Sequence, residues 1–487
     1  MKIKRLLSII LIVFVFFSLA LFTGCSGENS EDDVPSITWY VPCDSQKFLS
    51  DVLVEANKIL VEKVGAKLEL KLIDNGSYAE KMNMVIASNE AYDICFTSSW
   101  LNNFSTNVNK GAFKAIDEYL DSVPELKSVV SEDIMKVGMV EGKTYAIPIQ
   151  QVFPYQRAAF VDKKYIDEFN FDYSDVQKVE DLEPLMEMIH NKYPDIYTLR
   201  TRDVGVSLFL YRDLEYIDTN TNTCIKKTDD KVTVYPIHET DEWKYSAAKM
   251  AEYFKKGYIR KDIDSVMDDS TDFKAGKYAI YFKQYKPGVE AEEFAAYGRE
   301  VVCIPIEEPY TRYNTGITAM SAISRNCKNP ELALKVLQEV NTNQELYNLL
   351  VFGIEGVNYE KYGTEGQIKK NEKNNYGLQA WTIGNQFLAY PLDNQSPTVW
   401  DETRAFNESA AESPIMGFLW NSENVKTEIT NISTANKQHS NFYLFATGNE
   451  FNKAYQEYCD AMDTAGQQTI VNEVQRQIDE YLSRKLQ

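Results

Sequence analysis

The chain alternates between short β-rich runs and amphipathic stretches with helical spacing. Ile37-Thr38-Trp39-Tyr40-Val41 is made of β-branched and aromatic residues. In 46–64, Phe48, Leu49, Val52, Ala56, Ile59 and Leu60 form one helical stripe, and Gly65 stands where a helix-ending glycine belongs. Over 67–73, Leu68, Leu70 and Leu72 share one face of a strand. Residues 78–87 return to helical spacing, and 92–97 read as a third strand. This β-α-β-α-β order predicts a mainly parallel sheet covered by helices. Ligands of such sheets bind outside the carboxyl ends of the strands. The loops at those ends hold Cys43-Asp44-Ser45, Asp74-Asn75-Gly76 and Ser98-Ser99-Trp100, so polar groups and one large aromatic collect at one edge.

Further along, Gly142-Lys143-Thr144-Tyr145-Ala146-Ile147-Pro148 reads as a turn, a short strand and a stop. Residues 150–155 form an extended crossing, because the residue before Pro154 is kept out of the helical region. Helical spacing marks 181–193 and 243–258, while 231–235, 277–282, 300–306 and 315–324 read as strands. Asn329-Pro330-Glu331 supplies an N-cap, a proline at the first helical position and an early carboxylate. Residues 451–486 are two helices broken near Gly466; Phe451, Tyr455, Tyr458 and Met462 share one face, and Ile470, Val474, Ile478 and Leu482 another.

The N-terminus differs from the rest. Lys2, Lys4 and Arg5 precede the run 6–22, which is apolar except for Ser8 and Ser18. That is the layout of a secretory signal. Length alone leaves a membrane span open, and the flank decides. Phe22-Thr23-Gly24-Cys25 resembles the lipobox of bacterial lipoproteins, whose Cys takes a diacylglycerol. The expectation is a signal peptide over 1–24, lipidation at Cys25 and an acidic tether over 25–36. Such a chain is anchored to the outer face of the cytoplasmic membrane without spanning it.

Charge removes whole classes of partner. Over 487 residues the formal charge is −21, and loss of the three basic leader residues takes it to −24. So acidic a chain has no general attraction to nucleic acid. With three His (His190, His238, His439) and no zinc spacing among seven Cys, neither metal nor cofactor is expected. The sparse cysteines read as buried free thiols. Motifs for nucleophilic hydrolysis, metalloproteolysis, dinucleotides and P-loop phosphates are absent. The acidic pairs Asp229-Asp230, Asp268-Asp269, Glu292-Glu293 and Glu307-Glu308 read as solvated faces, and Asp218-x-Asn220-x-Asn222 as a turn before a hairpin rather than a calcium loop. Aromatics are abundant: 31 Tyr, 24 Phe and 6 Trp. Most must be core, yet Trp and Tyr also suit sugars, whose C–H faces stack on rings while their hydroxyls need polar partners.

Four pieces taken in order carry a resemblance over nearly the whole chain: the lipobox; 142–148 with its crossing; Phe273-Lys274-Ala275-Gly276-Lys277-Tyr278-Ala279-Ile280; and 316–340 with the Asn329 helix start. The chain resembles the lipid-anchored solute-binding proteins of bacterial ABC importers, in the carbohydrate branch. Residues from Ser413-Pro414-Ile415-Met416-Gly417-Phe418 through Ala465-Gly466 to Gln477 resemble a domain of unknown function that ends one subgroup. The resemblance implies a type II, two-lobed α/β clam-shell with hinge crossings, lobe one being 35–152 plus 313–375 and lobe two 153–312 plus 376–487. It implies a non-enzymatic receptor that grips its ligand between the lobes and hands it to an ABC permease. The cleft candidates are Asp44 and Trp100 after strands of lobe one, Gln150, Gln151 and Tyr155 in the crossing, Tyr285 in lobe two, Trp381 and Asn385 near the last return, and Trp420. Neutral and aromatic candidates outnumber basic ones, which favours an uncharged sugar; Arg157 is the exception, able to clamp a uronate or phosphate. The rival readings are a receptor for a peptide or other small solute, a sensory receptor, and a lipid-anchored glycan hydrolase.

Overall fold

The computed structural model describes residues 34–485 apart from 202, 203, 211, 219, 267, 440, 446 and 447. The leader, Cys25 and the tether through Asp33 lie outside the described residues. The strands of the two main sheets are β1 Ser36–Pro42, β2 Lys67–Ile73, β3 Ile94–Thr97, β4 Ala146–Pro148, β5 Arg157–Asp162, β6 Tyr197–Arg200, β7 Tyr278–Gln284, β8 Val301–Pro305 and β9 Met320–Ile323. One sheet runs β2-β1-β3-β9-β4, the other β8-β5-β7-β6. In the first, β1 is parallel to β2 and β3, while β9 is antiparallel to β3 and β4. In the second, β7 is parallel to β6, while β5 is antiparallel to β7 and β8.

Each sheet thus has one reversed strand, and it is the strand the chain enters on crossing from the other lobe. A chain that leaves one sheet at the carboxyl ends of its strands and enters the next at that same edge must run against the others. Two such crossings give the two-lobed fold.

Strand alternation divides the first core. Ile37, Trp39 and Val41 face the helices Leu49–Val64, Pro330–Thr342 and Gln344–Phe352 on one side, while Tyr40 and Cys95 face Tyr78, Met82 and Val85 of helix Asn75–Ala87 on the other. Gly65 adopts φ +70° at the end of its helix, and Asn329 Oδ1 accepts from Leu332 N at 3.1 Å, so both helix signals hold. In the second lobe, Ala159 and Val161 of β5 meet one large core, and Ala158 and Phe160 meet a smaller one with Phe273, Tyr278 and Tyr281. The helices Asn449–Thr464 and Gln467–Lys485 break at Gly466 and bury Phe451, Tyr458, Met462, Ile470, Val474 and Ile478 in the large core. The C-terminal region is therefore part of the second lobe.

Two expectations change. The apolar run 315–324 forms a strand only over Met320–Ile323, because Thr315 N bonds Arg312 O, Ile317 N bonds Asn314 O, and Gly316 takes φ +87°, which makes a turn. The final return to lobe two, expected at 375, comes later. Tyr376, Leu378, Ile383 and Ala389 pack in the same core as Trp39 and Leu60, so this stretch stays with lobe one. The chain reaches the hinge again at Ala411–Glu412, which pairs in parallel with Tyr310–Thr311. The described cysteines Cys43, Cys95, Cys224, Cys303, Cys327 and Cys459 are all free.

Candidate functional site

At the carboxyl end of β3 the loop 98–104 is held rigid by its own side chains. Ser98 Oγ accepts from the amides of Trp100 and Leu101, Asn102 Nδ2 donates to Phe96 O, and Asn103 Oδ1 caps the helix Phe104–Asn109. Ser99 N donates to Ile317 O and Trp100 Nε1 to Thr318 O at 2.9 Å, which ties the loop to the second crossing. The Trp100 ring nonetheless remains 57% exposed. It sits 5.8 Å from Trp381 at 44°, and buried Phe96 meets Trp381 edge-on at 5.7 Å. Leu419, from the second lobe's 413–420 segment, packs against this same cluster. The result is an aromatic shelf on the first lobe that opens toward the second.

Trp381 is brought there because the segment after it pairs with the first crossing. Gln150 N donates to Gly384 O, and Gln386 N donates to Gln150 O. Gly384 has φ +59°, and a Cβ there would lie 2.6 Å from Val340 O, so only glycine fits. Asn385 is buried, with Nδ2 donating to Asn341 O and Oδ1 accepting from Phe387 N. Gln150 is also buried, its amide 3.4 Å from Pro148 O. Both brace the hinge, Gln150 pairing with Asn385 across it. Gln151 is half-buried and its carbonyl accepts from Asn407 Nδ2.

The remaining candidates scatter. Asp44 is exposed after β1, and its carbonyl accepts from Gln46 Nε2. Tyr155 stacks under the Arg312 guanidinium, 3.6 Å from the ring centroid. Tyr285 lies edge-on to Phe406, and burial raises its phenol pKa. Trp420 leans on the second lobe's core. Arg157 corrects the expectation of an anion clamp. It is 2% exposed, Nη1 donates to Ser207 O at 2.7 Å, and Nε lies 4.0 Å from Glu307 Oε1, which draws its charge inward.

Beneath the hinge lies a charged network that residue spacing did not reveal. Glu215, also buried, accepts from Tyr310 Oη, Tyr313 N and Ser413 Oγ. Glu307 is nearly enclosed, and burial raises its carboxyl pKa while Arg157, Lys227 and Arg312 pull it back. The solvated reading fails for one member of three acidic pairs: Glu307; Glu293, which accepts from Tyr281 Oη and Lys283; and Asp269, which binds Arg200. Each was concealed by the distance in sequence to its partner. Asp218 does make a turn, its Oδ1 accepting from Asn220 N, but the turn lies within the hairpin, between its strands Leu214–Asp218 and Thr223–Lys226, and not before it.

The model of the family described as bacterial extracellular solute-binding protein matches residues 58–351 of the chain, more than half of its length. The chain belongs to this family. The solute-binding protein is accordingly a non-enzymatic binder, and residues 414–483 match a domain of unknown function. It is 29% identical over 95% of its length to a carbohydrate ABC transporter substrate-binding protein of Streptococcus pneumoniae serotype 4 (strain ATCC BAA-334 / TIGR4), covering 94% of that protein. It superposes with TM-score 0.83 and 28% identity on a crystal structure of the N-glycan transport solute binding protein NgtS of S. pneumoniae, over 93% of this chain and 100% of that one. The complexes of NgtS with Man1GlcNAc and Man5GlcNAc give TM-scores of 0.72 and 0.68 at 27% and 28% identity, over 92% and 93% of this chain and 100% and 99% of theirs. The solute-binding protein shares the two-lobed α/β fold of these structures.

Proposed function

We propose that this chain captures a neutral oligosaccharide between its lobes and delivers it to an ABC permease from a lipid anchor at Cys25. The observation that carries this reading is the shelf of Trp100 on Trp381, exposed at the carboxyl edge of the first sheet. A pyranose ring covers such a surface with its C–H face. The relative's name and the NgtS complexes support a sugar as the ligand class. The fall in TM-score from 0.83 to 0.72 and 0.68 in the sugar complexes agrees with closure by hinge motion, since a change in lobe angle degrades a whole-chain superposition. Closure follows when ligand contacts exist in one lobe arrangement only.

Titration calorimetry with mannosyl-GlcNAc oligosaccharides, other neutral oligosaccharides, acidic sugars and peptides tests the reading. We expect stoichiometric heat from a neutral oligosaccharide and no turnover of it. Trp100→Ala should weaken binding by about 30-fold, the ~2 kcal/mol of an aromatic contact residue, and lower stability by only about 1 kcal/mol, the worth of its bond to Thr318 O, because the ring is more than half exposed. Heat from peptides alone would reject a sugar ligand. Cys25→Ser should abolish incorporation of labelled palmitate and release the protein from cells; a variant that stays membrane-bound and labelled would reject the anchor.

A further inference from the structure

The short turn Ile237–Glu239 of the second lobe faces the last turn of the helix Asn449–Thr464. His238 in that turn is 0% exposed. Its ring packs edge-on against Tyr458 at 5.7 Å, and its carbonyl accepts from Tyr455 Oη at 2.7 Å. Nδ1 lies 2.8 Å from the Asn222 amide nitrogen. Nε2 is buried with no hydrogen-bond partner. It points at two carboxylates, Glu239 Oε1 and Asp463 Oδ1, each 4.0 Å away. All three ligand atoms lie within 4.8 Å of one another.

This arrangement leaves two debts unsettled. A buried ring nitrogen without a partner forfeits its hydration. Two carboxylates repel when their oxygens come this close, within 4.8 Å of one another. A cation between them answers both. Metals bind the uncharged form of an imidazole, and the buried Nε2 has no hydrogen-bond partner to compete for it. One imidazole with two carboxylates is a donor set for zinc-type ions; calcium takes six to eight oxygens and has little use for nitrogen. Tetrahedral bonds of about 2.0–2.2 Å bring ligand atoms to roughly 3.4 Å of each other. The carboxylates, which are half exposed, close that gap by small rotations and leave the fourth position to water.

We propose that His238, Glu239 and Asp463 bind one divalent transition cation of the zinc type, which staples the C-terminal helices to the second lobe. Loading places the ring proton on Nδ1, and Asn222 turns its carboxamide oxygen to accept it, releasing its 3.3 Å bond to Gln467 Oε1. Neighbouring positions 238 and 239 offer two ligands, and only the fold supplies the third.

The test is equilibrium dialysis of the chelator-stripped full chain against Zn2+, with metal read by mass spectrometry and affinity by competition with a chromophoric chelator. We expect one ion per chain, a visible absorption band on Co2+ substitution, and a rise in Tm with Zn2+ but not with Ca2+. Glu239→Gln and Asp463→Asn replace exposed groups by isosteres and should leave metal-free unfolding unchanged while weakening Zn2+ at least tenfold. Wild type that retains no ion, an ion held equally well by both variants, or stabilisation by Ca2+ alone would each overturn the proposal.

Discussion

Glu215 joins three separate stretches of chain, so its removal should be read in stability. It sits on the strand Leu214–Asp218 and is 1% exposed. Oε2 accepts from Tyr310 Oη at 2.8 Å and Ser413 Oγ at 2.7 Å, and Oε1 accepts from Tyr313 N at 2.6 Å. Tyr310 and Tyr313 belong to the second crossing and Ser413 follows the third, so one carboxylate fastens both crossings to the second lobe. In Glu215→Leu the volume is nearly kept and the acceptors vanish. Tyr310 and Ser413 are close enough to bond each other, which leaves one hydroxyl proton and the Tyr313 amide unpaired. At about 1–3 kcal/mol for each buried orphan, the loss is ~4 kcal/mol, a large share of the roughly 5–15 kcal/mol that holds a domain together. In Glu215→Gln, Oε1 still accepts the amide while the new NH2 donates to the hydroxyl oxygens, so the loss falls to ~1 kcal/mol. Urea unfolding followed by tryptophan fluorescence measures both variants. A Leu variant that loses less than about 1 kcal/mol, or a Gln variant that loses as much as Leu, would refute the reasoning.

Four further outcomes are expected. Arg157→Met removes the foremost of the three cations beside Glu307 and the donor to Ser207 O, while Lys227 and Arg312 remain, so it should cost about 3 kcal/mol in urea unfolding and leave sugar affinity intact; weaker binding at unchanged stability would restore Arg157 to the cleft. Burial raises Glu307 above 4.5 in the folded chain, so its contribution is fully present below pH 4.5 and is lost as pH rises through the folded value. The stability difference between wild type and Glu307→Gln should therefore move in favour of the variant as the pH of the unfolding buffer is raised from 4.5, and a flat difference would contradict the burial. Glu473 runs the other way: Arg476 lowers it from 4.5 to about 2, so its contribution is present above 4.5 and is lost as pH falls toward 2, where Glu473→Gln should converge with wild type in thermal melts. Asn329→Ala should cost about 1 kcal/mol of thermal stability and Asn329→Asp almost none, since only the former removes the acceptor for Leu332 N.

What could be read from the residues was local. Leu68, Leu70 and Leu72 declare a strand because period two is a property of the strand itself, and Gly65 ends its helix because its own φ is +70°. Trp100 could be placed at the carboxyl edge of the first sheet because a strand's direction fixes which loop lies at its end. The paired helices around Gly466 were legible for the same reason, since their apolar stripes repeat within each segment.

The rest waited on the fold. Trp381 became Trp100's neighbour only when the segment 384–386 paired with Gln150 of the first crossing. Arg157 was a candidate because it lies beside the first crossing and Asn385 because it lies near the last return; only the fold shows that their side chains bond Ser207 and Asn341. Glu307 looked solvated beside Glu308, and Asp463 lay far along the chain from His238. Periodicity records which way a residue faces along its own element. Which charge meets which, and whether water reaches them, depends on contacts between segments distant in sequence, and these exist only once the two lobes and their hinge have formed.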